Sequence, residues 1–192
     1  QLKMTKLNNK LIISIMGVDG SGKTTIAKSL YKKLKKSKYL HLKPYILFKD
    51  RRRVVRNPHL LKKSSFTISF IRIISWLISY KFFFIMNNKC KIYVFDRYAH
   101  DILIDPLRYK HNLSKNLTKF ILNFFPKPNL WIFLNTDLKT IKSRKRELPD
   151  NVLKHQIQNY IKFFKTEKNV LVLNSNKKDI LISRIIKKTI NR

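Results

Sequence analysis

The sequence predicts an α/β fold in which a five-stranded parallel sheet carries helices on both faces. Three observations predict it. Short apolar runs alternate with segments of helical period along most of the chain, the pattern of parallel strands joined by helical crossovers. With 192 residues and 44% hydrophobic content, the chain can bury one sizeable core and is too apolar for wholesale disorder. All three glycines, Gly17, Gly20 and Gly22, fall within six residues just after the first apolar run, where the backbone must turn tightly.

The elements follow in order. Residues 1–10 are polar and read as a flexible tail. Leu11 to Met16 is a short apolar run, hence a buried strand. From Thr24 to Lys36, Ile26, Ala27, Leu30 and Leu34 recur at helical spacing. Pro44 to Phe48 is expected as the second strand, followed by a basic, irregular stretch over 49–63. Residues 64–86 form a long helix, with Phe66, Phe70, Ile73, Leu77, Tyr80 and Phe84 three or four apart. A membrane span is the rival reading, but Arg72 and Lys81 cut the stretch into uncharged runs of eight or fewer, and a span wants about 20 apolar residues. A buried helix without a membrane role is preferred.

Lys91 to Phe95 is the third strand and ends at Asp96. A short helix over 99–104 stops at Asp105-Pro106, and one from Leu113 to Phe125 stops at Pro126. Leu130 to Leu134 is the fourth strand. Leu138 to Arg146 is helical, Pro149-Asp150 breaks it, and Val152 to Phe164 resumes. Val170 to Leu173 is the fifth strand, and a helix from Ile180 to Ile190 closes the chain. A single domain over 1–192 is expected, with a short lid near 144–151.

The net charge of +33 invites a nucleic-acid reading. The 32 Lys outnumber the 11 Arg and accompany 24 Ile and 16 Asn. AT-rich codons supply these residues, whereas phosphate and base contacts favour the planar fork of Arg. No specific nucleic-acid partner is therefore expected. The single cysteine, Cys90, excludes a disulfide scaffold and a cysteine-based zinc site and fits a reducing, cytoplasmic setting. No secretory leader pattern opens the sequence.

Gly17-Val18-Asp19-Gly20-Ser21-Gly22-Lys23-Thr24 matches the Walker A pattern in full, after a strand and opening a helix. Its backbone N–H groups would converge on phosphate oxygens, with the positive end of the helix behind them. Lys23 would bridge the β- and γ-phosphates, Thr24 would hold Mg2+, and Thr25 could reach the α-phosphate. Asn176-Lys177-Lys178-Asp179 matches a guanine-reading motif. A GTPase switch needs a further glycine, and none exists outside the loop, so an N-cap before the last helix is the better account.

The second constellation is Asp96-Arg97-Tyr98 with His100, Asp101 and Asp105 close behind. Ligands of open parallel sheets bind at the carboxyl ends of strands, so Asp96 and Arg97 would emerge beside the loop. A carboxylate there can position Mg2+ or accept a proton, and an arginine can grip an anion with two parallel bonds. Capping and turn formation account equally well for Asp101 and Asp105.

On these residues the chain resembles the thymidylate kinase-like branch of the P-loop nucleoside monophosphate kinases. The likeness rests on Gly17 through Thr25, on the Asp96-Arg97-Tyr98 triplet, on Arg144-Lys145-Arg146-Glu147 at the lid position, and on the order of elements. It implies the P-loop NTPase fold, ATP and Mg2+. It also implies that Asp19 touches a sugar hydroxyl of the acceptor, that Arg97 touches its phosphate, and that Arg144 or Arg146 closes on the transferred group. Tyr98 is counted with the acceptor-binding residues. Two departures stand out. Met16 replaces a usual Glu before the loop, and Phe48-Lys49-Asp50-Arg51-Arg52-Arg53 replaces an Arg-Glu-Pro-Gly-Gly stretch. Tyr39 to Pro44, Asn57-Pro58-His59, Asp101 to Tyr109 and Arg144-Lys145-Arg146-Glu147 resemble a divergent subgroup often encoded among genes for surface polysaccharides.

The sequence thus reads as a kinase moving the γ-phosphoryl group of ATP to a small, anionic acceptor. Lys23, Asp96, Arg97, Arg144 and Arg146 carry catalysis; Thr24 and Asp96 hold the metal; Asp19, Arg53, Arg97 and Tyr98 bind the acceptor. A sugar or glycan-precursor acceptor is the alternative, and a nucleotide-switched nucleic-acid or membrane-surface binder the remote one. Whether the chain acts alone or as a homodimer stays open.

Overall fold

The computed structural model describes residues 10–44, 62–87, 90–144, 149–174 and Ile185. They divide into two compact units, one drawn from 1–41, 89–98 and 128–192, the other from 42–88 and 99–127.

The first unit holds five parallel strands: β1 (Leu11–Met16), β2 (Ser37–His41), β3 (Ile92–Asp96), β4 (Leu130–Leu134) and β5 (Val170–Leu173). Their order is β2-β3-β1-β4-β5. The chain leaves β1 toward one side of the sheet and later crosses to the other, so the crevice beyond the carboxyl ends of β1, β3 and β4 is the topological switch point. Its helices are α1 (Lys23–Lys33), α5 (Leu138–Arg144) and α6 (Asp150–Thr166).

Period-two alternation places this unit's core on both faces of the sheet. Leu130, Ile132 and Leu134 of β4 join Ile13, Ile15 and Val94 under Ile26, Ala27 and Leu30 of α1 and Leu34 just after it. The intervening Trp131 and Phe133 meet α6 instead. Trp131 lies 5.7 Å from Phe163, and Phe133 stacks 5.0 Å from Phe164. Ile185, fully buried, joins the α1-side cluster.

The second unit contains α2 (Phe66–Met86), α3 (Asp101–Ile104) and α4 (Lys115–Leu122). Ser65 caps α2 and Ser114 caps α4, each hydroxyl accepting the N–H three residues on. Helix α2 has 21 residues and a mean hydropathy of 1.6 over an 18-residue window, long and apolar enough to cross a membrane. Its buried residues, Ser69, Ile73, Trp76, Tyr80, Phe83 and Phe84, follow one helical stripe. Arg72 ties the helix down, donating from Nη1 to the Tyr109 carbonyl at 2.5 Å and from Nη2 to Ser64 Oγ at 3.1 Å.

Four expectations need correction. The second described strand is Ser37–His41, where none was expected. It is an edge strand with only Leu40 buried, so it lacks the apolar run that marks its neighbours; Pro44 lies outside it and 45–48 lie outside the described residues. Lys10 does not belong to a tail, being 3% exposed just before β1. In α2, Phe66 and Phe70 are exposed while Trp76 and Phe83 are buried. A helix apolar all round offers periodicity no single face to select. The helix expected over 113–125 is shorter, Lys115–Leu122, because Ser114 caps it only after Leu113 has passed. The helix expected over 138–146 is described as far as Arg144, and 145–146 lie outside the described residues, as does the closing helix apart from Ile185.

Candidate active site

Strand β1 ends at Met16, and the loop turns at once. A Cβ on Gly17, where φ is +154°, would sit 2.9 Å from both the Leu134 carbonyl oxygen and Ser21 Oγ. Only glycine lets the chain pass that close to β4. Gly22, with φ +87°, is the N-cap of α1 and gives the helix no side-chain cap. The first-turn N–H groups of α1 therefore face outward, ready for an anion. Of the loop's hydroxyls, Ser21 is buried, while Thr24 and Thr25 are exposed at the start of α1.

Two cations and one carboxylate meet over this loop. Lys23 Nζ donates to the Val18 carbonyl at 2.6 Å and lies 3.7 Å from Asp19 Oδ1. Arg97 Nη2 donates to the same oxygen at 2.5 Å, and Arg97 Nη1 donates to Tyr160 Oη at 3.3 Å. Lys23 and Arg97 are 5% and 3% exposed. Arg97 follows β3, its N–H extending the ladder to the Ile15 carbonyl at 2.9 Å. Its φ is +71°, a conformation non-glycine residues rarely hold and one that clusters at functional sites. Arg144 closes the arrangement: its Nη1 is 3.6 Å from where a Cβ of Gly22 would be, so the end of α5 brings a guanidinium over the loop.

Asp96, at the tip of β3, is 1% exposed. Its Oδ2 accepts from Thr24 Oγ1 at 2.6 Å and from Tyr39 Oη at 3.1 Å. Its Oδ1 is buried with no hydrogen-bond partner. A hydroxyl and a carboxylate with an unused oxygen are hard donors suited to Mg2+, which takes one or two protein oxygens and completes its shell with water and phosphate. No group of three or more His, Cys, Asp or Glu fit to hold a metal occurs among the described residues.

The structure thus brings together Gly17, Asp19, Gly20, Ser21, Gly22, Lys23, Thr24, Asp96, Arg97 and Arg144. Tyr98 is elsewhere: it packs as a core aromatic, fully buried between Phe95 and Trp131, with its hydroxyl pKa raised by burial. Arg53, Arg146, His59 and the Asn176 to Asp179 motif lie outside the described residues. Asp101, in the second unit, accepts from Tyr109 Oη at 2.7 Å. His100 is buried, its pKa lowered to about 3 by desolvation and the Lys127 charge. Two residues escape a reading of the sequence. Tyr39 sits in a strand whose polarity hides it, and Tyr160 lies 63 residues from Arg97 with no motif around it.

Fold and loop together define a P-loop kinase, an ATP-dependent phosphotransferase. The model of the thymidylate kinase family matches residues 15–186, and the chain belongs to that family. Among solved structures it is similar to the thymidylate kinase of Candida albicans, with 18% identity, TM-score 0.62, and coverage of 95% of this chain and 93% of that one. It is similar to the deoxyadenosine kinase of M. mycoides with dCMP and dCDP bound, with 17% identity, TM-score 0.63, and coverage of 95% and 100%. It is also similar to the YorR protein of Bacillus subtilis in complex with phosphorylated GDP, with 16% identity, TM-score 0.60, and coverage of 93% and 95%. No curated protein matches the sequence.

Proposed function

We propose that this kinase transfers the γ-phosphoryl group of ATP, with Mg2+, to the phosphate of a nucleoside monophosphate. One observation carries the acceptor side of this reading: a buried arginine, Arg97, held in a rare backbone conformation at the switch point, beside the loop lysine. A guanidinium in that position suits an anionic acceptor. The family supports the nucleotide class.

Phosphoryl transfer asks the protein mainly for position and positive charge. Lys23 and the first-turn N–H groups of α1 would hold the donor phosphates. Arg97 would hold the acceptor phosphate in line, and Arg144 would offset charge on the transferred group. Thr24 and Asp96 would hold Mg2+, which would supply positive charge to offset that of the phosphates. Arg146 belongs with Arg144 as a lid cation, Arg53 with the acceptor-binding cations, and Thr25 with the donor side. A cytoplasmic setting accords with the lone Cys90.

The test is an ATP-turnover screen over nucleoside monophosphates, deoxynucleosides and phosphorylated sugars. Turnover with a monophosphate, and an acceptor KM raised at least about tenfold by Arg97→Lys, are expected, because an ammonium keeps the charge and loses the fork. Turnover confined to an uncharged nucleoside or sugar would overturn the reading.

A further inference from the structure

The Asp96 carboxylate is held by a residue that the loop motif does not contain. We propose that Tyr39 is a positioning residue that fixes the Asp96 carboxylate so that its second oxygen stays available to the cation. This rests on the reading of Asp96 as a metal-holding residue and adds the part that orients it.

The geometry begins in the sheet. Tyr39 pairs with Val94, and Asp96 pairs with His41 two residues on, so Tyr39 and Asp96 are diagonal neighbours on one face. A tyrosine is long enough to span that diagonal. Its ring packs against the apolar cluster that contains Val94, Ile26 and Leu30, and lies 6.4 Å from the Tyr31 ring. The cluster thus anchors a rigid ring and delivers its hydroxyl to Asp96 Oδ2 at 3.1 Å.

Chemistry supplies the second half. Thr24 Oγ1 reaches the same Oδ2 at 2.6 Å from α1. Two donors from different elements, converging on one oxygen, set the plane of the carboxylate. Oδ1 is left buried and without a hydrogen-bond partner. Buried polar atoms in that state call for an explanation, such as an ion. When Thr24 turns its oxygen lone pairs to a cation, its own orientation becomes tied to that cation. Tyr39 is then the donor whose direction is set by the fold alone. Cys, Phe or Leu at position 39 could fill the space; only a ring with a donor at its tip does both.

The experiment measures ATP affinity by a displacement assay, once with Mg2+ and once with EDTA, so that no acceptor and no turnover are needed. The quantity read is the gain in affinity from the metal. Tyr39→Phe keeps the ring and removes the donor. It should cut the metal gain by roughly tenfold or more, the weight of one hydrogen bond to a charged group, with affinity in EDTA and melting temperature close to wild type. In an Asp96→Asn background the same substitution should have little further effect, since the two act through one carboxylate. Replacing Tyr39 by 4-aminophenylalanine, which keeps ring and donor, should retain most of the gain and decides the matter should Tyr39→Phe fold poorly. An unchanged metal gain in Tyr39→Phe would overturn the proposal. So would equal weakening with and without metal, full additivity with Asp96→Asn, or a folded 4-aminophenylalanine variant that loses the gain. Failure of the acceptor screen, by contrast, would leave these outcomes untouched.

Discussion

Asp19 is the shared counter-charge of two buried cations, and Asp19→Asn should show it. Its Oδ1 lies 2.5 Å from Arg97 Nη2 and 3.7 Å from Lys23 Nζ, and both cations are almost wholly buried. Neutralising Asp19 leaves two buried charges with one counter-charge fewer. Removing one partner of a fully buried pair costs roughly 3–5 kcal/mol. The Asp19 side chain is 21% exposed, and water screens that part, so about 1–3 kcal/mol is the reasoned cost. For a chain of this size each kcal/mol moves Tm by roughly 2–4 °C, so the ligand-free Tm should fall by several degrees. ATP bound at the loop would bring negative charge to Lys23 and close to Arg97. The rise in Tm on adding saturating ATP in EDTA should therefore be larger in Asp19→Asn than in wild type, and the difference should shrink as salt rises. Thermal unfolding with and without ATP at two salt concentrations reads both effects. A ligand-free Tm equal to wild type, or an ATP-induced rise no larger, would refute the counter-charge argument.

Three further outcomes are expected. Lys23→Ala should keep the fold, measured by circular dichroism, and lose about 10²–10³-fold in turnover, the usual scale for a lost transition-state charge contact. Gly17→Ala should lower Tm and abolish ATP binding, because its Cβ would meet the Leu134 carbonyl at 2.9 Å, an overpacking worth roughly 1–3 kcal/mol; calorimetric titration with ATP reads the binding. Acid should destabilise the fold early. His100 and His111 have pKa values lowered to about 3 and about 4, chiefly by burial, from an ordinary 6.5. The unfolded chain takes up protons below about pH 6.5 that the folded chain refuses, so the stability these residues give is present above that pH. It falls away between pH 6.5 and pH 4, by up to about 1.4 kcal/mol per unit and histidine. His100→Asn and His111→Asn together should flatten the pH dependence of Tm in that window.

How much of this is legible in sequence depends on whether the signal is local. Strands β4 and β5 are readable to the residue, because a central strand buried on both faces is a continuous apolar run and β5 is flanked by polar residues. Strand β2 is not, since Ser37-Lys38-Tyr39-Leu40-His41 has the polarity of an edge and takes its conformation from pairing with β3. The phosphate loop is readable because three glycines in a chain otherwise without them mark one tight turn. The partners of its charged residues are not. Thr24 to Asp96 spans 72 residues, Asp19 to Arg97 spans 78, and Arg97 to Tyr160 spans 63. Only the sheet order brings them together. Tyr98 shows the limit from the other side: the triplet marks it, but not that Phe95 and Trp131 hold its ring in the core.

The two carboxylates beside the loop differ in what faces them, and the proposed function would divide their work accordingly. Asp19 meets the nitrogens of Lys23 and Arg97, so its charge is already matched by cations that an incoming phosphate must share. Asp96 meets the hydroxyls of Thr24 and Tyr39, which orient it and do not neutralise it. On the proposed reading, a carboxylate at 1% exposure, balanced by dipoles on one oxygen and with no hydrogen-bond partner on the other, would attract a small hard cation more strongly than Asp19 would. Asp19 offsets the positive charge of Lys23 and Arg97, which would otherwise oppose a cation at Asp96. Removing the charge of Asp19 should therefore lower the gain in ATP affinity that Mg2+ brings, a coupling that comes from electrostatics alone and needs no movement of the loop. Displacement titrations of Asp19→Asn in Mg2+ and in EDTA read that gain, and one equal to wild type would show that the two carboxylates act independently.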